Sequence, residues 1–295
     1  MAFQRSFLRE ESECQFVIAL LYFKYVAMKN ILVPTDFSDN AFNALSFAIA
    51  IANRSGSHIT LLYAYQVYRP TGALVSVERY IREDADSDMD QLLDKARAQL
   101  MNGATIEGVA IKGKTIESLA KKADHGGFDL IVMGTQGATG LKGVFMGSTT
   151  NGVIRSAKTP VLAIPSGCKF MAFRHIALAM DSRELGKDIS LQPLIDLVKA
   201  YETKLSIYHK TEGEDDQGVD PALAYWLDGV EYAHHFDFSD DNINESIGSF
   251  LEDYDVDLLC MIHHKRGFLE GLFHQSVTRK EAFTTDLPLL VLQDL

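Results

Sequence analysis

Two hydrophobic periods alternate along the chain. Ile31-Leu32-Val33 is a short continuous apolar run, and after it Ala44, Leu45, Ala48, Ile51 and Ala52 recur at the spacing of one helical face. Between them stand Ser38, Asp39 and Asn40, whose short polar side chains can accept an amide that a helix start leaves unpaired. The same pattern predicts strands over 59–64, 106–111, 130–133 and 161–164, and helices near 83–101, 115–123 and 148–156. Continuous apolar strands separated by helices imply a doubly wound α/β fold, with a parallel sheet covered on both faces.

The second half repeats the first. Sliding the chain by 128 residues without a gap places Asp129 on Asp257, Met133 on Met261, Gly143 on Gly271, Phe145 on Phe273, Ser148 on Ser276 and Pro160 on Pro288. Spaced identities over a whole strand–loop–helix–strand unit indicate duplication. At the front of the repeat the offset becomes 145, which sets His175 to Asp181 against Asn30 to Asp36. The second copy is therefore shorter in its middle, where Glu212, Glu214, Asp215, Asp216 and Gly218 predict an exposed acidic loop. Pro165-Ser166-Gly167 marks the boundary, so two tandem domains are expected, 28–167 and 168–295, after an extension of residues 1–27.

The chemistry concentrates after the fourth predicted strand. Gly134-Thr135-Gln136-Gly137 is followed, nine residues later, by Gly147-Ser148-Thr149 at the start of a predicted helix. Glycines allow a backbone to turn tightly and to approach a ligand. A helix start offers unpaired amides and its positive dipole end to phosphate oxygens, and the two hydroxyls add donors. In an open parallel sheet this lies at the carboxyl ends of the strands, where ligands bind, and Asp36 stands just past the first strand.

With the closing run Pro160-Val161-Leu162-Ala163-Ile164, this set resembles the ATP-binding class of universal stress proteins, strongly over residues 29–165 and weakly over 174–293. The resemblance implies strand order 3-2-1-4-5, an adenine near the first two strands, and pairing of two domains through their fifth strands as a pseudo-dimer. It implies that Asp36 and Gly134 face the nucleoside, that Gly137, Gly147, Ser148 and Thr149 hold phosphate, and that the ligand is ATP, with or without Mg.

In the second copy Gly134, Gly137, Gly147 and Thr149 become Ile262, Lys265, Gln275 and Val277, so nucleotide binding is expected in the first domain alone. Another string, Gly108 to Thr115, fits the P-loop pattern G-x4-G-K-[ST], but its first four residues read as strand rather than loop. Cys260, His263, His264 and His274 share one segment and are read as surface or packed residues rather than metal ligands, because adjacent His263 and His264 would point apart on a strand. Tyr225 and Trp226 are read as packing residues.

Charge sharpens the contrast between the halves. The chain carries a net charge of −12, distributed as 0 over 1–27, +1 over 28–167 and −13 over 168–295. Such acidity argues against a nucleic-acid partner and leaves the first half the less repulsive to a polyphosphate. Three scattered cysteines fit a reducing, cytoplasmic setting. The apolar run 16–23 is too short to span a bilayer and follows acidic residues. No membrane partner or signal peptide is expected, and Met28 is read as the natural start, with a surface-packed helix as the alternative. The functional expectation is a stress-response regulatory protein that binds an adenine nucleotide and pairs its two domains internally or as a homodimer. The alternatives are a slow ATPase or phosphotransferase and a nucleotide-free dimerisation scaffold. No dedicated general base is visible, so regulation rather than catalysis is expected.

Overall fold

The computed structural model describes residues 28–66, 77–136, 146–180, 185, 189–210, 221–239, 243–264 and 287–294. In the first half β1 (Asn30–Thr35), β2 (His58–Tyr65), β3 (Thr105–Lys112), β4 (Leu130–Gly134) and β5 (Val161–Ile164) alternate with α1 (Asp39–Ser55), α2 (Val77–Arg97), α3 (Thr115–His125) and α4 (Ser148–Ser156). The second half supplies β6 (His175–Met180), β7 (Lys204–Lys210), β8 (Tyr232–Asp237), β9 (Leu258–His263) and β10 (Leu289–Gln293), with α5 (Gln192–Tyr201), α6 (Pro221–Trp226) and α7 (Ile243–Asp253). All ten strands form one sheet in the order β3-β2-β1-β4-β5-β10-β9-β6-β7-β8. Each half thus has the expected 3-2-1-4-5 order, and the halves meet at their fifth strands.

Local chemistry accounts for the helix ends. Ser38 caps α1 by accepting the Ala41 amide, and Gly56, at φ 69°, ends it with its own N–H on the Ala52 carbonyl. The predicted helix 83–101 is observed at Val77–Arg97 instead. At its C-terminal end Gln99 and Leu100 donate to Ala96 and Arg97 in tightened turns, and Asn102 and Gly103 then adopt positive φ, which an α-helix does not continue through. The six-residue α6 stands where the first half has the 21-residue α2, as the shorter middle of the second copy requires. On so short a helix one face meets the core. Trp226 packs there, while Tyr225, expected to pack, is 80% exposed.

The repeat is visible in strand register. Ile131 pairs with Val161 and Leu259 with Leu289, both members shifted by 128; Ile31 pairs with Leu130 and Ile176 with Leu258. Aspartates hold the same joint in each half. Asp129 Oδ2 accepts the amides of Lys29 and Asn30, and Asp257 Oδ2 accepts those of Arg174 and His175. Their own N–H groups return to the carbonyls of Asn30 and His175.

β5 and β10 run antiparallel, with Val161 opposite Val291, Leu162 opposite Leu290 and Ala163 opposite Leu289. Because Leu290 is Leu162 shifted by 128, a pseudo-twofold axis passes through that pair, as in an isologous dimer contact. Both leucines are fully buried, each contributing about 1.5–3 kcal/mol of transfer free energy. Apolar layers cover both faces: Leu162 and Leu290 belong to the layer under α1, α2 and α5, and Val161, Ala163, Leu289 and Val291 to the layer under α3, α4 and α7. The chain between the halves is packed too. Phe170 sits edge-on to Phe47 of α1 and against Phe173 and Tyr201, and Asn43 donates to the Cys168 carbonyl.

Asp129→Ala and Asp257→Ala should each cost about 1.5–3 kcal/mol, the range for charge-assisted hydrogen bonds, and should cost nearly the same, since each carboxylate closes an equivalent joint. Urea unfolding of the two variants measures this.

Candidate functional site

The strand order reverses at β1, which lies between β2 and β4. There, beyond the carboxyl ends of the strands, β1, β2, β4 and the first turn of α4 enclose a cavity of about 230 Å³. Leu62, Ala64, Leu119 and Met133 give it an apolar floor. Thr35, Asp36, Gln136, Thr149 and Thr150 supply polar groups around it.

Asp36 reaches the cavity from a strained turn. The next residue, Phe37, has φ 62°, a conformation that costs an aromatic residue energy and is held by its surroundings. Its amide donates to Thr35 Oγ1 at 3.0 Å, and its ring lies 4.8 Å from that of Tyr63. Asp36 does not cap α1 itself. Its Oδ1 accepts from the Ser38 amide and hydroxyl, and Ser38 is the cap.

The glycine turn is drawn together at its base. A β-carbon on Gly134 would come within 3.1 Å of the Asn40 carbonyl oxygen, and one on Gly147 within 2.9 Å of that of Thr135. Gly147 also donates its N–H to Thr135, and Thr150 Oγ1 donates to the Gly134 carbonyl at 2.7 Å. Both glycines thus permit close approach of the protein's own backbone. α4 begins with no side-chain cap and no acidic residue in its first turn, leaving its amides and dipole available to an anion. Of the residues singled out from sequence, Asp36, Gly134 and Thr149 line the cavity, Gly147 and Ser148 open α4 beside it, and Gly137 lies outside the described residues. Sequence reasoning missed Thr35, Leu62 and Thr150, which no motif singles out, and gave no role to Gln136 within the glycine string.

The P-loop-like string has a structural explanation. Gly108 lies within β3, where a β-carbon would strike Met89 and Leu93 of α2. Lys114 is an exposed residue before α3; its hydrogen bond and charge attraction to Glu117, 2.9 Å away, raise its pKa.

The second half builds the equivalent floor differently. Strand register sets Tyr208 where the first half has Leu62 and Lys210 where it has Ala64. Tyr208 is buried and donates its hydroxyl to Asp237 Oδ2 at 2.6 Å, while Lys210 Nζ reaches Asp237 Oδ2, the Ser239 carbonyl and Ser246 Oγ. A phenol and an ammonium with their partners stand where the first half keeps small or apolar groups. Partial burial opposes ionisation of Asp237, but hydrogen bonds from Tyr208, Ser239 and Lys210 outweigh it and hold its carboxyl well below the usual range. An open groove of about 450 Å³ does pass Tyr208 and Asp237, but its walls are Phe250, Asp253 and Tyr254 rather than a glycine turn.

Cys260 is fully buried in the core, which pushes its thiol pKa up, His263 pairs with Gln293 and His264 with Asp294. His274 lies outside the described residues, among which no group of three His, Cys, Asp or Glu is arranged to hold a metal ion.

The family model of universal stress proteins matches residues 28–165. Residues 28–165 belong to the universal stress protein family. Universal stress protein MJ0577 of Methanocaldococcus jannaschii is 26% identical over 155 residues, 47% of this chain and 96% of its own. Universal stress protein Slr1230 of Synechocystis is 26% identical over 294 residues, covering 89% of this chain and 99% of its own, so similarity to a universal stress protein extends through both halves. The crystal structure of a universal stress protein from Archaeoglobus fulgidus superposes with a TM-score of 0.67 at 20% identity, over 90% of this chain and 97% of that one, and shares the fold. No helix among the described residues is long and apolar enough to cross a membrane.

The depressed pKa of Asp237 makes a pH prediction for the chain. The stabilisation is present above the unfolded-state value of about 3.9 and is lost as pH falls through the lower folded value. Denaturant midpoints measured from pH 6 to pH 2 should fall below about pH 4, and Asp237→Asn should flatten that fall.

Proposed function

We propose that residues 28–167 form a domain that binds ATP, that residues 168–295 form a partner domain that binds none, and that the pair works in the cytoplasm as a nucleotide-responsive regulatory unit. The cavity at the reversal of strand order, with an uncapped helix start beside it, carries this reading. At about 230 Å³ it is smaller than the roughly 300–1,000 Å³ of pockets that enclose a whole drug-sized ligand, and it suits the base and sugar. Leu62, Ala64 and Met133 offer apolar surface to the base, and Asp36 a carboxylate to the sugar hydroxyls. The phosphates then lie toward Gly147, Ser148 and Thr149, where amides and hydroxyls favour negative charge. Mg would arrive on the phosphates, the usual way this cation is held. The described lining residues include one carboxylate and neither histidine nor lysine, which favours a held nucleotide over a hydrolysed one.

Calorimetry should give one ATP per chain, and nucleotide should be detectable by mass spectrometry in the purified protein. Two equivalent sites would sink the single-site reading. Leu62→Tyr, which writes the second half's residue into the first, should weaken ATP binding at least roughly tenfold by filling the cavity floor.

Lys114→Ala should leave ATP affinity within about twofold of the parent, as expected for a surface side chain paired with Glu117. A Lys114→Ala protein that folds but loses ATP would make the P-loop-like string the site.

A further inference from the structure

α4 ends against the other half of the chain. Gln293, at the end of β10, is buried at 7% exposure, and its Nε2 donates to the Ile154 carbonyl at 3.1 Å. Ile154 lies in the last turn of α4, where backbone carbonyls lack a partner within the helix. The carboxamide is oriented in turn, since its Oε1 stands 3.0 Å from His263 Nδ1, on the neighbouring strand β9.

We infer that Gln293 is a positioning residue through which the second half fixes the axial placement of α4, and with it the phosphate-facing first turn; the inference rests on the ATP reading above. α4 has nine residues and is held at both ends. Thr150 ties its first turn to the Gly134 carbonyl, at the edge of the cavity, and Gln293 ties its last turn to β10. A helix this short moves as a rod, so freedom at its C-terminal end becomes freedom of the amides that meet phosphate. The residue that corresponds to Gln293 in the first half, 128 positions earlier, is Pro165, which has no side-chain donor. At this position, then, the fastening comes from the half with Tyr208 and Lys210 in its floor, and Pro165 cannot return it. Orienting α4 bears most on the phosphates, since the base and sugar rest mainly on β1, β2 and β4 and meet α4 at one wall, through Thr149 and Thr150.

The full-length chain tests this through two affinities. Gln293→Leu keeps the bulk but removes the donor; it should weaken ATP binding roughly tenfold while adenosine binding stays within about twofold. Leu290→Ala loosens the same strand pairing from the opposite layer, under α1, α2 and α5, and leaves the bond to Ile154 in place. It should lower the melting temperature and leave the ratio of ATP to adenosine affinity unchanged. Equal ratios in Gln293→Leu and the parent, or a ratio shifted as far by Leu290→Ala, would overturn the inference while leaving ATP binding intact. A parent chain that binds neither ATP nor adenosine would overturn both readings. The unmutated protein gives a further measurement, independent of whether the variants fold. The Gln293 side-chain amide resonances should shift on adding ATP and stay in place on adding adenosine, and resonances unmoved by saturating ATP would refute the coupling.

Discussion

The antiparallel pairing of β5 with β10 is the contact on which the rest of this molecule depends. Each half has a complete 3-2-1-4-5 arrangement, yet its fifth strand would be an edge, with apolar side chains on both faces and unpaired backbone groups along one side. Joining the two edges removes both liabilities at once. Because the partners belong to one chain, the effective concentration of one edge for the other is set by the short segment that joins the two halves, on the order of millimolar for a flexible tether. That segment is itself packed through Phe170 and Phe173, which narrows its freedom further.

The pairing also sets where the chemistry lies. Since β5 and β10 run in opposite directions, the carboxyl ends of the two sets of strands open on opposite sides of the sheet. The cavity of the first half and the Tyr208–Lys210–Asp237 network of the second therefore face away from each other. The C-terminal end of α4, by contrast, meets the carboxyl end of β10, and this brings Gln293 to Ile154. Communication between the halves has a short route through that helix even though their crevices are far apart in the topology.

Much of this architecture was legible in the amino-acid pattern. Apolar runs separated by helical spacing predicted the parallel strands, and the identities at Asp129/Asp257 and Pro160/Pro288 located the second copy. Those aspartates proved to close a backbone joint, and such a local, repeated role preserves a residue at a fixed offset. The glycine turn marked one side of the cavity. The floor escaped notice for a definite reason. The two offsets used to superpose the halves, 145 and 128, skip the second strand, where register requires 146, so Leu62 was never set against Tyr208. The loss of glycines in the second half was visible, but the filling of its floor depends on hydrogen bonds between β7, β8 and α7 that no linear spacing displays. Tyr225 was misread because apolar character does not say which side of a single helical turn faces the core.

The axis through Leu162 and Leu290 has one further consequence. In a pair of identical chains every substitution near such an axis occurs twice, so a residue that improves one contact must also fit the mirrored one. Here the two flanking contacts differ: Val161 faces Val291, whereas Ala163 faces Leu289. A large side chain against a small one on one flank and two of middle size on the other is a packing that identical subunits could not adopt. Covalent fusion thus releases the central seam from self-complementarity, and each side of it can be tuned alone.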